Sequence, residues 1–209
     1  LKIYKQRAKL ISEIFPGFTV IDALSNLEFY ETGAVKQPIP CENEADKFFG
    51  KVPELWTYYC CGQGGKLSNR FFGMPLSTTR ALGAQLFKYG IEGFLQWGYN
   101  FYNSQLSKRS IDPFSVTDAD SAFPSGDAFS VYPGKDGAIE SVRSVVFYEG
   151  LQDMRAMKSL SDLIGKDNTV HFLESNFGKI TFYDYPRGME NLLKMRNLIN
   201  DKLYNLTKK

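Results

Sequence analysis

One histidine and three cysteines are too few for most of the chemistry proteins build on those residues. A lone His171 cannot assemble a zinc site without unusual company, and as a base it would need a neighbouring nucleophile that the sequence does not advertise. It reads as a half-exposed residue on a helix. Cys41, Cys60 and Cys61 are odd in number and lack CxxC spacing, and neighbours on a strand point to opposite faces, so all three are expected as reduced thiols. No GxSxG elbow or HExxH helix occurs. Gly62-Gln63-Gly64-Gly65-Lys66-Leu67 looks suited to phosphate, but Leu67 spoils GxGxxG, and Gly65-Lys66 lacks the flanking residues of a P-loop. That run reads as a flexible strand-to-helix loop, and neither cofactor nor metal is expected. No stretch approaches the roughly 18 apolar residues that would span a bilayer, and no basic-then-apolar leader opens the chain, so no membrane partner is expected. With 25 Lys plus Arg against 23 Asp plus Glu, the net charge of +2 supplies no field toward nucleic acid.

What the sequence does have is rings. Aromatics make up 15% of 209 residues, from 17 Phe, 12 Tyr and 2 Trp, within an otherwise ordinary globular composition. The chain opens on Leu1 inside a helical pattern and is expected to be a piece of a longer polypeptide. Its compartment is left open.

Residues 2–15 carry Ile3, Leu10, Ile11 and Ile14 among charges, a helix stopped by Pro16-Gly17. Residues 18–24 read as a buried strand, 27–32 as one helical turn, and 44–49 as a short helix after Pro38 and Pro40. A second strand covers 55–61, a helix covers 77–89 with Ser77 as its cap and Gly90 as its stop, and a third strand covers 93–99. Residues 101–125 read as a long loop, 127–132 as a fourth strand, and 139–164 as a long helix. A last helix runs from 189 to 206. Strand and helix alternate, which predicts parallel βαβ units, with 18–24, 55–61 and 92–98 adjacent and 127–132 the fourth strand. About four units in some 165 residues are half of an eight-unit barrel, which needs roughly 250 residues. The expected fold is therefore α/β: the C-terminal half of a (β/α)8 TIM-type barrel over 1–165, followed by a helical extension at 166–209. A four-stranded open α/β sheet is the competing reading. Half a barrel leaves sheet edges uncovered, through which a homodimer could form unless the 166–209 extension covers them.

Three of the strands end in clusters of aromatic and polar residues. Trp56, Tyr58 and Tyr59 precede the Gly-rich loop, Trp97, Tyr99, Asn100 and Tyr102 precede the long loop, and Tyr132 closes the fourth strand. The carboxyl ends of barrel strands form the active face. Flat rings beside amides and carboxylates suit a sugar, whose C–H face stacks on an aromatic while its hydroxyls take directed hydrogen bonds. The alternative is that these rings fill the core, and alternation must turn either Tyr58 or Tyr59 away from any site. By the same rule Trp97 points inward only if Leu95 does. Asp22 is the one acid inside an apolar strand and reads either as a ligand contact or as half of a structural pair. Asn69 and Arg70 follow the Gly-rich loop and could reach the same mouth, or could sit on a solvated tip. Arg80, Arg143 and Asp153 read as structural pairs.

IDALS at 21–25, LWTYYCCGQGG at 55–65 with Asn69-Arg70-Phe71, Arg80, GFLQWGYN at 93–100, Asp112-Pro113, Gly126-Asp127, Val131-Tyr132-Pro133-Gly134, Ser141-Val142-Arg143 and EGLQD at 149–153 occur in this order. Together they resemble the C-terminal part of the catalytic region of glycoside hydrolase family 123, also described as domain of unknown function 4091, over about residues 1–165. The resemblance implies a barrel that removes terminal β-linked N-acetylgalactosamine with retention. The substrate's own acetamido oxygen is the nucleophile, a Glu is the general acid and the preceding Asp orients the acetamide, an exception to the two-carboxylate scheme. No Asp-Glu dipeptide occurs in these 209 residues, so no catalytic residue carries over and the chain alone is expected to be inactive. What carries over is a carbohydrate-binding wall of Asp22, Trp56, Tyr58, Asn69, Arg70, Trp97, Asn100 and Tyr132. A non-catalytic carbohydrate-binding or structural α/β domain is the other expectation.

Overall fold

The structure, a computed structural model, describes residues 1–208. The chain divides into two compact units, one built from 1–59 and 90–96 and the other from 60–89 and 97 onward.

In the first unit the elements are α1 (Lys2–Ile14), β1 (Ile21–Ala23), α2 (Glu28–Glu31), β2 (Gln37–Ile39), a 3₁₀ segment at Glu42–Phe48, β3 (Trp56–Tyr58) and β4 (Gly93–Leu95). β1 pairs with β2 and β3 with β4, both parallel. A parallel bridge between Cys41 and Tyr58 ties the end of β2 to β3. There the Tyr58 amide and the Thr57 hydroxyl both donate to the Pro40 carbonyl, at 3.2 and 2.8 Å. The expected parallel pairing of 55–61 with 92–98 is present, but 18–24 is not adjacent to 55–61, because β2 lies between them. Pro38 and Pro40 masked that strand. Proline has no N–H to give a ladder, and Pro38 sits in the middle of a strand only three residues long. Ile39, Ala45, Phe48, Leu55, Tyr59 and Ile91 form the buried interior. Gly93 is required where it is: a Cβ there would lie 2.1 Å from the Trp56 indole. Helix α1 buries none of its residues, and Ile3, Leu10, Ile11 and Ile14 are all exposed.

The second unit holds α3 (Leu76–Tyr89), β5 (Val131–Pro133), β6 (Ala138–Glu140), α4 (Val142–Ile164), α5 (Lys166–Phe177) and α6 (Met189–Thr207). The expectation of a fourth parallel strand at 127–132 is corrected here. β5 begins at Val131 and pairs antiparallel with β6, while Phe129 bridges antiparallel to Asn100. Pro133-Gly134 allows a tight reversal in which the Gly134 amide donates to the Gly137 carbonyl at 2.9 Å. The next helix starts later than its apolar pattern predicts, because 138–140 is spent on that hairpin. Ser141 then accepts from the Ser144 amide as an N-cap.

Helices α3, α4, α5 and α6 share one core, including Ala81, Ala84, Met157, Leu160, Leu173, Leu192, Met195 and Ile199. The closest approach is between α3 and α4. A Cβ on Gly83 would lie 1.8 Å from the Gly150 carbonyl oxygen, and one on Gly150 would lie 2.6 Å from the Arg80 carbonyl oxygen. Beside this contact, Arg80 of α3 grips Asp153 of α4 with two bonds, Nε to Oδ2 at 2.7 Å and Nη2 to Oδ1 at 3.0 Å. Arg196 of α6 adds a third bond to Oδ1 at 3.0 Å. Arg80 and Asp153 thus make the structural pair expected of them.

Because the Gly83 clash is with backbone, no side chain can move to relieve it. Gly83→Ala is expected to cost about 1–3 kcal/mol or more of stability by overpacking, read as a lowered denaturation midpoint. Gly62→Ala, which meets nothing within 4 Å, is the control and should leave the midpoint near the parent's. Equal midpoints for the two variants would mean the helices do not touch there.

Candidate functional site

The residues singled out in the sequence fall into both units. Asp22, Trp56 and Tyr58 belong to the first; Asn69, Arg70, Trp97, Asn100 and Tyr132 belong to the second.

In the first unit, Asp22 sits on β1 and accepts a hydrogen bond from the Tyr4 hydroxyl at 2.8 Å. Burial, then that hydrogen bond and the carboxylate's charge, push the Tyr4 phenol up to about 12. Asp22 is therefore engaged in an intramolecular pair. On β3 alternation sends Thr57 and Tyr59 inward, both fully buried, and leaves Trp56 and Tyr58 half-buried. Tyr59 is the core member of the tyrosine pair, packed edge-on to Phe94 with centroids 4.7 Å apart.

In the second unit, Asn69 is not on a solvated tip. It is fully buried and ties the Gly-rich loop together. Its amide nitrogen donates to the carbonyls of Cys60 and Gln63 at 3.0 and 2.5 Å, and its side-chain oxygen accepts from the Arg70 amide at 2.8 Å. Gln63 closes the loop from its other end, accepting from the Cys60 amide at 2.9 Å and from the Cys60 thiol. The loop is held by its own side chains and does not have the flexibility its glycines suggest.

Arg70 and Trp97 converge on a residue the sequence did not single out as a site residue, Asp127. The Trp97 indole N–H donates to Asp127 Oδ1 at 3.4 Å, and the Arg70 guanidinium lies 4.0 Å from the same oxygen. Arg70 also donates to the Asp127 carbonyl at 2.6 Å and to the Ser130 hydroxyl at 3.1 Å. Arg143 donates to the carbonyls of Gly126 and Arg70 and lies over the Phe72 ring, 4.5 Å from its centroid. Asp127 is fully buried, and its Oδ2 accepts no hydrogen bond among the described residues. Burial pushes its carboxyl above the ordinary value, against the pull of Arg70, the Trp97 N–H and Arg143. Its sequence signals were indirect: an acid between Gly126 and a run of small and apolar residues, and a place among the blocks that carry the family resemblance.

Trp97 itself is half-buried, flanked edge-on by Phe123 at 5.1 Å and by a tilted Phe101 at 5.8 Å. It lies two residues past the end of β4, so strand alternation does not govern its direction. Asn100 is exposed, with its backbone paired to Phe129. Tyr132 is half-buried and stacks on the exposed Phe114 at 5.0 Å. It contacts Phe129 rather than Trp97 in the ring network. Arg70, Trp97 and Asp127 therefore form one cluster, and Asn100 and Tyr132 lie on flanking segments.

Among the described residues no group of three or more His, Cys, Asp or Glu is placed to hold a metal, and no helix is long and apolar enough to cross a membrane. No curated protein matches the chain. A family model described as "Glycoside hydrolase 123, catalytic domain" matches residues 1–160. That span takes in both strand pairs of the first unit and the whole Arg70–Trp97–Asp127 cluster, and the chain belongs to the glycoside hydrolase 123 catalytic-domain family.

Proposed function

We propose that the chain supplies the sugar-holding part of a retaining β-N-acetylgalactosaminidase-like enzyme that works by substrate assistance. The observation that carries this reading is Trp97: a half-buried indole, fixed through its N–H and flanked by rings, within the span that matches a glycoside hydrolase catalytic domain. An indole held in this way offers a flat apolar face at low entropic cost to the C–H face of a pyranose. In this reading Asn100 and Tyr132 supply further polar and aromatic contacts within the second unit, Trp56 and Tyr58 are sugar contacts offered by the first, and Asn69 and Arg70 act by holding the loop and the cluster in shape. Residues 1–165 make up the C-terminal half of a (β/α)8 barrel, and 166–209 is a helical extension packed on it. The parallel strands β1 to β4, linked in chain order, support that architecture. The catalytic Asp-Glu pair of the family has no counterpart in these residues.

Three measurements test the reading. The isolated chain is expected to show no turnover of an aryl β-N-acetylgalactosaminide above a heat-killed control, since general acid catalysis alone is worth about 10²–10⁴-fold. Turnover would overturn the assignment of chemistry to residues outside it. In the full-length enzyme, Trp97→Ala should raise KM by about tenfold, equivalent to about 1.4 kcal/mol, with little change in Tm. A core Trp→Ala would instead cost about 3–5 kcal/mol of stability. Asn69→Ala is expected to do the reverse. It strands the buried Gln63 carbonyl at about 1–3 kcal/mol and removes a second, part-buried bond to the Cys60 carbonyl, lowering Tm while KM of the folded enzyme stays near the parent's. An unchanged KM with a collapsed Tm for Trp97→Ala would return Trp97 to the core.

A further inference from the structure

We infer that Asp127 is a positioning residue for Trp97, holding the indole in the orientation that presents its face to a saccharide. This rests on the carbohydrate reading for its consequence, though not for its geometry. The segments around 98–101 and 128–131 run antiparallel: the Phe101 amide donates to the Ala128 carbonyl at 3.1 Å and the Ser130 amide to the Tyr99 carbonyl at 2.8 Å. At the end of this ladder Gly98 lies so close to the other segment that a Cβ on it would be 2.6 Å from the Asp127 carbonyl oxygen. Arg70 donates to that same oxygen, and the Asp127 amide donates to the Pro124 carbonyl at 3.0 Å. The Asp127 backbone is thus fixed by three neighbours. Trp97 is fixed against it at two points: the glycine that follows it in sequence, and the indole N–H on Oδ1.

The carboxylate cannot itself meet a ligand, because the residue is fully buried. It acts through Trp97 or not at all. A neutral acceptor would satisfy an indole N–H at less desolvation cost. The carboxylate here instead keeps one oxygen without a hydrogen-bond partner among the described residues, in a setting of Arg70 and Arg143. That is an expensive arrangement for packing alone. It suits a group whose task is to hold one donor in a fixed direction, since the Asp127 backbone is itself pinned by Gly98, Arg70 and Pro124.

The test uses the two-tryptophan composition. In a Trp56→Phe background Trp97 is the sole tryptophan, and its near-UV circular dichroism reports whether the indole is held. Asp127→Ala is expected to reduce that band to about half or less and, in the full-length enzyme with Trp56 retained, to raise KM for an aryl β-N-acetylgalactosaminide by about tenfold with kcat within about twofold. Asp127→Asn keeps an oxygen acceptor and should restore both. A persistent band in Asp127→Ala, or an Asn variant as impaired as the Ala variant, overturns the proposal. Should Asp127→Ala not fold, the pH dependence of Trp97 emission decides. The groups facing Asp127 are Arg70, Arg143 and the Cys61 thiol, which burial, the neighbouring Cys60 and Asp127 push upward. An acid-side transition in emission that vanishes in Asp127→Asn supports the proposal, and one that persists overturns it. If Trp97→Ala leaves KM unchanged while Asp127→Ala still abolishes the Trp97 band, the sugar reading fails and the positioning role stands.

Discussion

Where α3 crosses α4, two glycines let backbone meet backbone, and the order of the second unit follows from that distance. With Gly83 against Gly150, neighbouring residues on both helices come within reach, so Arg80 can place two guanidinium nitrogens on Asp153 at hydrogen-bond length. A buried carboxylate is tolerable only when paired and hydrogen-bonded. Asp153 meets that condition by taking three bonds from two arginines on two different helices. The third comes from α6, so the position of the last helix also depends on the closeness of the first two. Larger residues at either glycine would hold α3 and α4 apart and leave the carboxylate short of its partners.

Asp127 presents the opposite case. It too is fully buried among arginines, yet its best side-chain bond is a long one to an indole, Arg70 stands 4.0 Å away, and one oxygen accepts nothing among the described residues. Desolvation therefore dominates and the carboxyl is shifted upward. Such a group costs stability wherever it is ionised against its environment, and that loss shrinks as acid protonates it. Two buried acids in one unit, one fully bonded and one not, separate a group that holds the fold from one whose presence calls for another reason.

The helices were legible because their apolar spacing and their stops are local. Residues 2–15, 77–89 and 189–206 correspond closely to α1, α3 and α6. The parallel pairing of β3 with β4 was legible too, since strand–helix–strand order dictates it. What failed was long-range or contrary to propensity. β2 lies across two prolines, and the hairpin of β5 and β6 consumed three residues whose pattern fits the following helix. The site was partly legible. Trp97 stood out as a large ring beside polar residues, and Arg70 by its place after the loop. Asp127 did not, because its meaning comes from a partner 30 positions away. The burial of Asn69 was hidden for the same reason: nothing local shows that its amide reaches back to Cys60 and Gln63.

The two units are interleaved along the chain, which passes from the first to the second after Tyr59, returns at Gly90 and leaves again after Gln96. During synthesis the residues assigned to the first unit have all emerged with Gln96. The second must wait about a hundred residues more, until Arg196 can reach Asp153. At roughly 5–20 residues per second, that is a delay of several seconds or more. Until α4 has emerged, α3 carries Arg80 and an apolar stripe with no helix to receive them. A translational pause or a cut between α3 and α4 would hold α3 in that state.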